Sequence, residues 1–178
     1  MSRLFTINPT DATGHSAEIF RALKQTAGMI PNCYLTIGTH SPNGLAAALN
    51  LDEVVECSTL TKSEIQAVRL VVSTNSGCNY GITAHAFLAK FSGLSTSAVK
   101  AIKAEHETGI PKLDALLTFV RHLVSSKGLV KADILDAALQ AGYSEQNIIE
   151  VMLAIASTTF IDLVNRVNDT KLDYPQTD

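Results

Sequence analysis

Two residues in the middle of the chain carry groups that chemistry can use: Cys78, directly after Gly77, and His85, seven positions on. A cysteine at a helix start can have its thiol acidified by the helix dipole into a reactive thiolate; without such a setting a free cysteine is more often a small core residue. His85, flanked by Ala84, Ala86 and Phe87, reads either as a general acid or base or as a packed histidine with both nitrogens satisfied. At a rise of about 1.5 Å per residue the two lie about 10 Å apart along one helix, too far for a direct hydrogen bond. Tyr80 either lines a pocket or packs on the preceding helix. Glu64 fits best as the partner of Thr61 in a capping box, and a rotation of the helix would be needed to turn it inward.

The remaining candidates read as structural. Cys33 and Cys57 have no chemical neighbours in sequence, His106 sits between Glu105 and Glu107 as a loop histidine, and His15, His40 and His122 lack ligand-like spacing. No His, Cys or carboxylate pair has the compact spacing of a zinc or iron site, and no Gly-rich phosphate loop is present, so neither a metal nor another cofactor is expected.

Helices must position these groups. Apolar residues recur at three and four positions almost throughout, no long stretch alternates at period two, and no strand is expected. The first helix is expected over about 12–27, with Ile19, Phe20 and Leu23 inward and Gly28 at its end. A short segment starts at Pro31-Asn32, and Ser41-Pro42 caps a helix to about 57. Thr61-Lys62-Ser63-Glu64 opens a helix to about 76, and another runs from about 78–81 to 91. Further helices are expected from Ser95 to about 104, over about 112–126 and 133–140, and from Ser144 to about 167. Residues 169–178, polar with one proline, read as an extended arm. The sum is one all-α domain over 1–178, a bundle of about eight helices without a dividing linker.

Composition narrows the function classes. Of 178 residues 46% are apolar and 17% charged, below the roughly 25% charge of an ordinary domain. Fourteen Lys and Arg against seventeen Asp and Glu leave a net charge of −3 with no basic block, which argues against nucleic acid as a partner. The longest apolar run, 151–156, is far short of a membrane span, and no secretory signal is visible at the N-terminus, so no membrane partner and a cytoplasmic location are expected. Three cysteines, an odd number, do not make a disulfide framework. The scarcity of charge suggests that part of the surface is covered by another subunit.

From Leu60 to His85 the chain resembles the signature of the alkylhydroperoxidase D-like family, also called the carboxymuconolactone decarboxylase superfamily. That pattern is a helix carrying a glutamate, then Gly-Cys-x-Tyr-Cys-x-x-x-His opening the next helix, then a Gly-Leu-Ser break. Gly77, Cys78, Tyr80, His85 and Gly93-Leu94-Ser95 fall in register. Gly28-Met29-Ile30-Pro31-Asn32, Ser41-Pro42, Lys127-Gly128-Leu129-Val130, Ala141-Gly142-Tyr143-Ser144 and the stretch from Asn165 to Pro175 resemble the longer, peroxidase-related branch. The resemblance implies an all-helical fold, a homo-oligomer (dimer, trimer or hexamer), and a thiol-dependent peroxidase or antioxidant oxidoreductase that turns over a small-molecule substrate with an external thiol reductant.

Two departures from the pattern bear on that chemistry. The second motif cysteine aligns with Gly81, and the relay glutamate with Gln66; Arg166 stands where many longer relatives place His. Gly81 offers no nucleophile one turn from His85, and Gln66 holds a hydrogen bond without taking a proton at neutral pH. In relatives Cys78 corresponds to the partner thiol and His85 to the relay histidine. A two-cysteine cycle therefore needs Cys33 or Cys57 brought to Cys78, or a single-thiol route through sulfenic acid. The alternatives are a cofactor-free lyase of the carboxymuconolactone decarboxylase type with His85 as base, and a catalytically silent oligomer that binds a small ligand.

Overall fold

The computed structural model describes residues 2–176, so Met1, Thr177 and Asp178 of the expected 1–178 unit, including the end of the arm, lie outside the described residues. Nine α-helices and one 3-10 turn, Pro9–Asp11, are found among them, with no strand: α1 Gly14–Ala27, α2 Asn32–His40, α3 Pro42–Glu56, α4 Lys62–Ser76, α5 Asn79–Phe91, α6 Thr96–Lys103, α7 Pro111–Ser125, α8 Ala132–Gln140 and α9 Glu145–Asn168. The all-α expectation is met, and each boundary falls within a residue or two of its capping signal.

The bundle is built around α4. Its N-terminus is closed by the capping box: the Glu64 amide donates to Thr61 Oγ1 at 3.2 Å and the Thr61 amide to Glu64 Oε2 at 2.8 Å. From Ile65 to Ser73 every residue is buried, including the polar Gln66, Arg69 and Ser73. A helix buried on all sides is a core helix, and α4 packs against α5, α7 and α9. It stops at Gly77, whose φ of 66° is the left-handed conformation that glycine adopts without strain. That turn sends the chain straight into α5.

The longest helix, α9, covers α4 from the other side and also touches α2, α3 and α5. By length and composition alone it would pass for a membrane span. Its inward face argues otherwise: Val151, Ala154, Thr158, Asp162 and Asn165 follow one another at three- and four-residue steps and are all buried, so polar groups point into the protein. Its outward face leaves Ile149, Met152, Phe160, Leu163 and Val167 exposed. A smaller apolar cluster of Phe20, Ile37 and Leu45 joins α1, α2 and α3 and seats α2 beside the α5 entry.

The terminal segment is less free than an extended arm. The Asn32 amide donates to Asp173 Oδ2 at 2.6 Å, and Asn32 Nδ2 to the Lys171 carbonyl at 3.0 Å. Tyr174 then packs edge-on to Tyr80, with ring centroids 5.9 Å apart. The tail thus straps the start of α2 to the start of α5.

Candidate functional site

Cys78 occupies the cap position of α5, where its sulfur accepts the Gly81 amide at 3.4 Å. The side chain is 1% exposed, and burial, followed by the nearby negative charge of Asp162, pushes the thiol up to about 12. The helix dipole is outweighed. Of the two readings of Cys78, this setting matches the buried core cysteine: its S–H donates to the Asp162 carboxylate.

Asp162, on α9, is the hub of this corner. Ser73 Oγ donates to its Oδ1 at 3.2 Å and Ser76 Oγ to its Oδ2 at 2.9 Å. Burial raises its pKa above the usual carboxylate value despite these donors. The same groups explain Gly81, because a Cβ there would run into Ser73 Oγ and Asp162 Oδ1 and come within 2.9 Å of Ser73 Cβ. The space beside Gly81 is filled by a carboxylate and a hydroxyl.

One turn further along α5, His85 Nδ1 lies 3.0 Å from Gln66 Oε1. An amide oxygen only accepts, so Nδ1 carries the ring proton and Nε2 keeps its lone pair. Burial, and then the positive charge of Arg69, lower the imidazole to about 3, which makes it neutral at physiological pH. Gln66 thus holds the hydrogen bond its side chain was expected to hold, here to the His85 ring.

His85, Tyr80 and Gly81 line a pocket of about 70 Å³ between α2, α4, α5 and α9, closed on one side by Tyr174. Cys33 of α2 is its sulfur; burial pushes this thiol, too, up to about 12, with the Tyr80 hydroxyl against it. Cys33 and Cys78 belong to one buried cluster, while Cys57 is exposed at the end of α3. Glu64 is elsewhere, outside the pocket lining, held by the Thr61 amide and by the Tyr143 hydroxyl at 2.7 Å, in the capping box its spacing predicts. Among the described residues no group of three His, Cys, Asp or Glu is arranged to hold a metal.

Sequence reasoning missed several lining groups. Asp52 of α3 pairs with Arg69 Nη2 at 3.0 Å and accepts the hydroxyls of Tyr34, at 2.8 Å, and Ser157. This ion pair cancels the charge in the pocket wall. On α9, Asn165 is 3% exposed and neither its Oδ1 nor its Nδ2 has a hydrogen-bond partner among the described residues. The available signal was phase: Asp162 and Asn165 fall on the inward stripe of α9, where a polar residue carries a desolvation cost that needs a reason.

Two outcomes follow for this geometry. Gly81→Cys should lower stability by about 2 kcal/mol through forced displacement of Ser73 and Asp162, and a thermal melt as high as the parent's would contradict the packing described. Below about pH 6.5 the unfolded chain protonates His85 while the folded chain does not until about pH 3, so its contribution to stability is lost as pH falls through that window. Denaturant titrations between pH 7 and 4 should show a shallower acid loss in His85→Gln.

No family model and no curated protein matches the chain. Solved structures do. An uncharacterized peroxidase-related protein of Ralstonia eutropha, described as an alkylhydroperoxidase AhpD core, superposes with a TM-score of 0.86 at 16% identity, covering 97% of this chain and 92% of that one. The debrominase Bmp8, as a cysteine-to-alanine variant in complex with 2,3,4-tribromopyrrole, gives 0.80 at 21% identity, covering 97% and 94%. A peroxidase-related protein of Silicibacter gives 0.80 at 14%, covering 96% and 91%. These likenesses extend over nearly the whole of each chain, and they establish that this protein has the alkylhydroperoxidase D-like fold.

Proposed function

We propose that the chain binds a small neutral organic molecule in the pocket beside His85, and that the two-thiol peroxide cycle is absent from this site. The observation that carries the reading is the Asp162 carboxylate packed with Ser73 against Gly81, in the space that a second motif sulfur would need. Three features support it. His85 is neutral and held in one tautomer, the Asp52–Arg69 pair leaves the wall without net charge, and Tyr80 and Tyr174 supply aromatic surface. A structural neighbour, Bmp8, holds 2,3,4-tribromopyrrole on the same fold, a planar N–H heterocycle of the kind such a pocket would favour. His85 as a strong general base, the lyase reading, is disfavoured by a pKa of about 3.

The thiol-dependent peroxidase reading is favoured by one observation, the common cluster of Cys33 and Cys78 around Tyr80. In that case peroxide would oxidise one sulfur to sulfenic acid, releasing water or alcohol. The other sulfur would displace hydroxide to form a disulfide, which an external dithiol would reduce. Purified protein given hydrogen peroxide or an organic hydroperoxide with dithiothreitol should consume no more peroxide than the protein-free control. Consumption that disappears in Cys78→Ser or Cys33→Ser would overturn the ligand-binding reading in favour of the peroxidase.

A homo-oligomer acting in the cytoplasm belongs to the same proposal, supported by the exposed apolar face of α9 at Ile149, Met152, Phe160, Leu163 and Val167. Sedimentation should give a mass that is a multiple of 19.0 kDa, and a monomer at micromolar concentration would remove this part.

A further inference from the structure

Several polar side chains facing the pocket are engaged within the protein. Both oxygens of Asp52 are taken, Thr158 Oγ1 donates to the Ala154 carbonyl, and Tyr34 and Ser157 donate to Asp52. Among the described residues of the wall, three side chains carry buried atoms without a partner: Arg69 Nε, on a guanidinium already paired through Nη2, the Tyr80 hydroxyl, and Asn165, the one in which both an acceptor and a donor are unmatched. An amide buried with both atoms unpaired is unfavourable in the free protein unless something pairs with it.

We propose that Asn165 recognises the adjacent N–H and C=O of a small cyclic amide, a lactam, by a two-hydrogen-bond ring. The inference rests on the ligand-binding reading and names its chemical class. Asn165 offers an oxygen acceptor and an N–H donor on one planar edge, and the complement is an N–H and a C=O on the same side of a C–N bond. Lactams have that arrangement fixed by their ring, whereas open-chain secondary amides are trans and present the two groups on opposite sides. Carboxylic acids would match only when protonated, and at neutral pH the carboxylate lacks the donor. The pocket suits such a molecule in size, with room for a handful of heavy atoms, and the balanced Asp52–Arg69 pair suits its neutrality.

The probe pair is 2-pyrrolidinone and N-methyl-2-pyrrolidinone, which share the ring and the carbonyl and differ in the N–H. Ligand-observed NMR titrations should show 2-pyrrolidinone binding at least about tenfold more tightly than its N-methyl derivative. In Asn165→Leu the preference should disappear, while the melting temperature stays level or rises because an unpaired buried amide has been removed. Asn165→Ser serves as the second variant and should also lose the preference. A preference that persists in both variants, as simple exclusion of the methyl group would give, overturns the inference. Equal binding of both probes by the parent, lost in the pocket-filling Ala84→Phe, overturns lactam recognition alone and leaves the pocket reading intact. Binding of neither probe, with Ala84→Phe indistinguishable from the parent, overturns both.

Discussion

A carboxylate without full solvation sits at the junction of three helices, and much of the site is arranged around it. Asp162 projects from α9 into the turn between α4 and α5, where Ser73, Ser76 and Cys78 all donate to it. Burying a charge is costly unless hydrogen bonds replace the lost water, and three donors from one short stretch make the position tenable. Its consequences spread outward. The carboxylate ties α9 to the end of α4, fills the space that leaves only glycine at position 81, and keeps Cys78 as a protonated donor.

The glycine at position 81 and the carboxylate of Asp162 are thus two sides of one packing solution. A side chain at position 81 and a carboxylate at position 162 compete for the same volume. A glycine read in isolation looks like a deletion from a catalytic motif; read with Asp162 and Ser73, it is the accommodation of a different polar group. Gln66 fits the same logic. An ionised glutamate beside His85 would favour imidazolium, whereas a neutral amide, with Arg69 nearby, favours the uncharged ring. This corner holds a neutral imidazole, a neutral thiol and a single hydrogen-bonded carboxylate.

How much of this was legible in the sequence depends on the range of the interaction. Helix starts and stops are local, and Thr61 with Glu64, Ser144, Ser41-Pro42, Gly28 and Gly77 marked them to within a residue or two because a cap satisfies neighbouring backbone groups. The Gln66–His85 contact was within reach of reasoning, since it joins two adjacent helices of one motif. Asp52, Asn165 and Tyr174 were not, because nothing in their local sequence says that α3, α9 and the tail converge on α5. The tail shows the limit best. Its polar composition reads as an arm in solvent, yet Asp173 is drawn in by the free amide at the start of α2 and Tyr174 by the ring of Tyr80.

The phase of α9 offers a route past that limit. Asp162 and Asn165 interrupt a stripe that otherwise reads Val151, Ala154 and Thr158, and all five positions are buried. Hydrophobic patterning alone would have placed apolar residues at both, so each polar side chain there requires a partner from elsewhere in the fold. Asp162 has its partners on α4 and α5, which makes its role architectural. The side chain of Asn165, three residues on and on the same face, has none among the described residues. The fold is shared with peroxidase-related and debrominase neighbours, but a fold hosts many chemistries, and what this site can bind is set by its own polar groups, two of which stand on that one stripe. The carboxylate on that stripe is satisfied by Ser73, Ser76 and Cys78, and the amide on the same stripe lines the pocket with its own partners missing among the described residues.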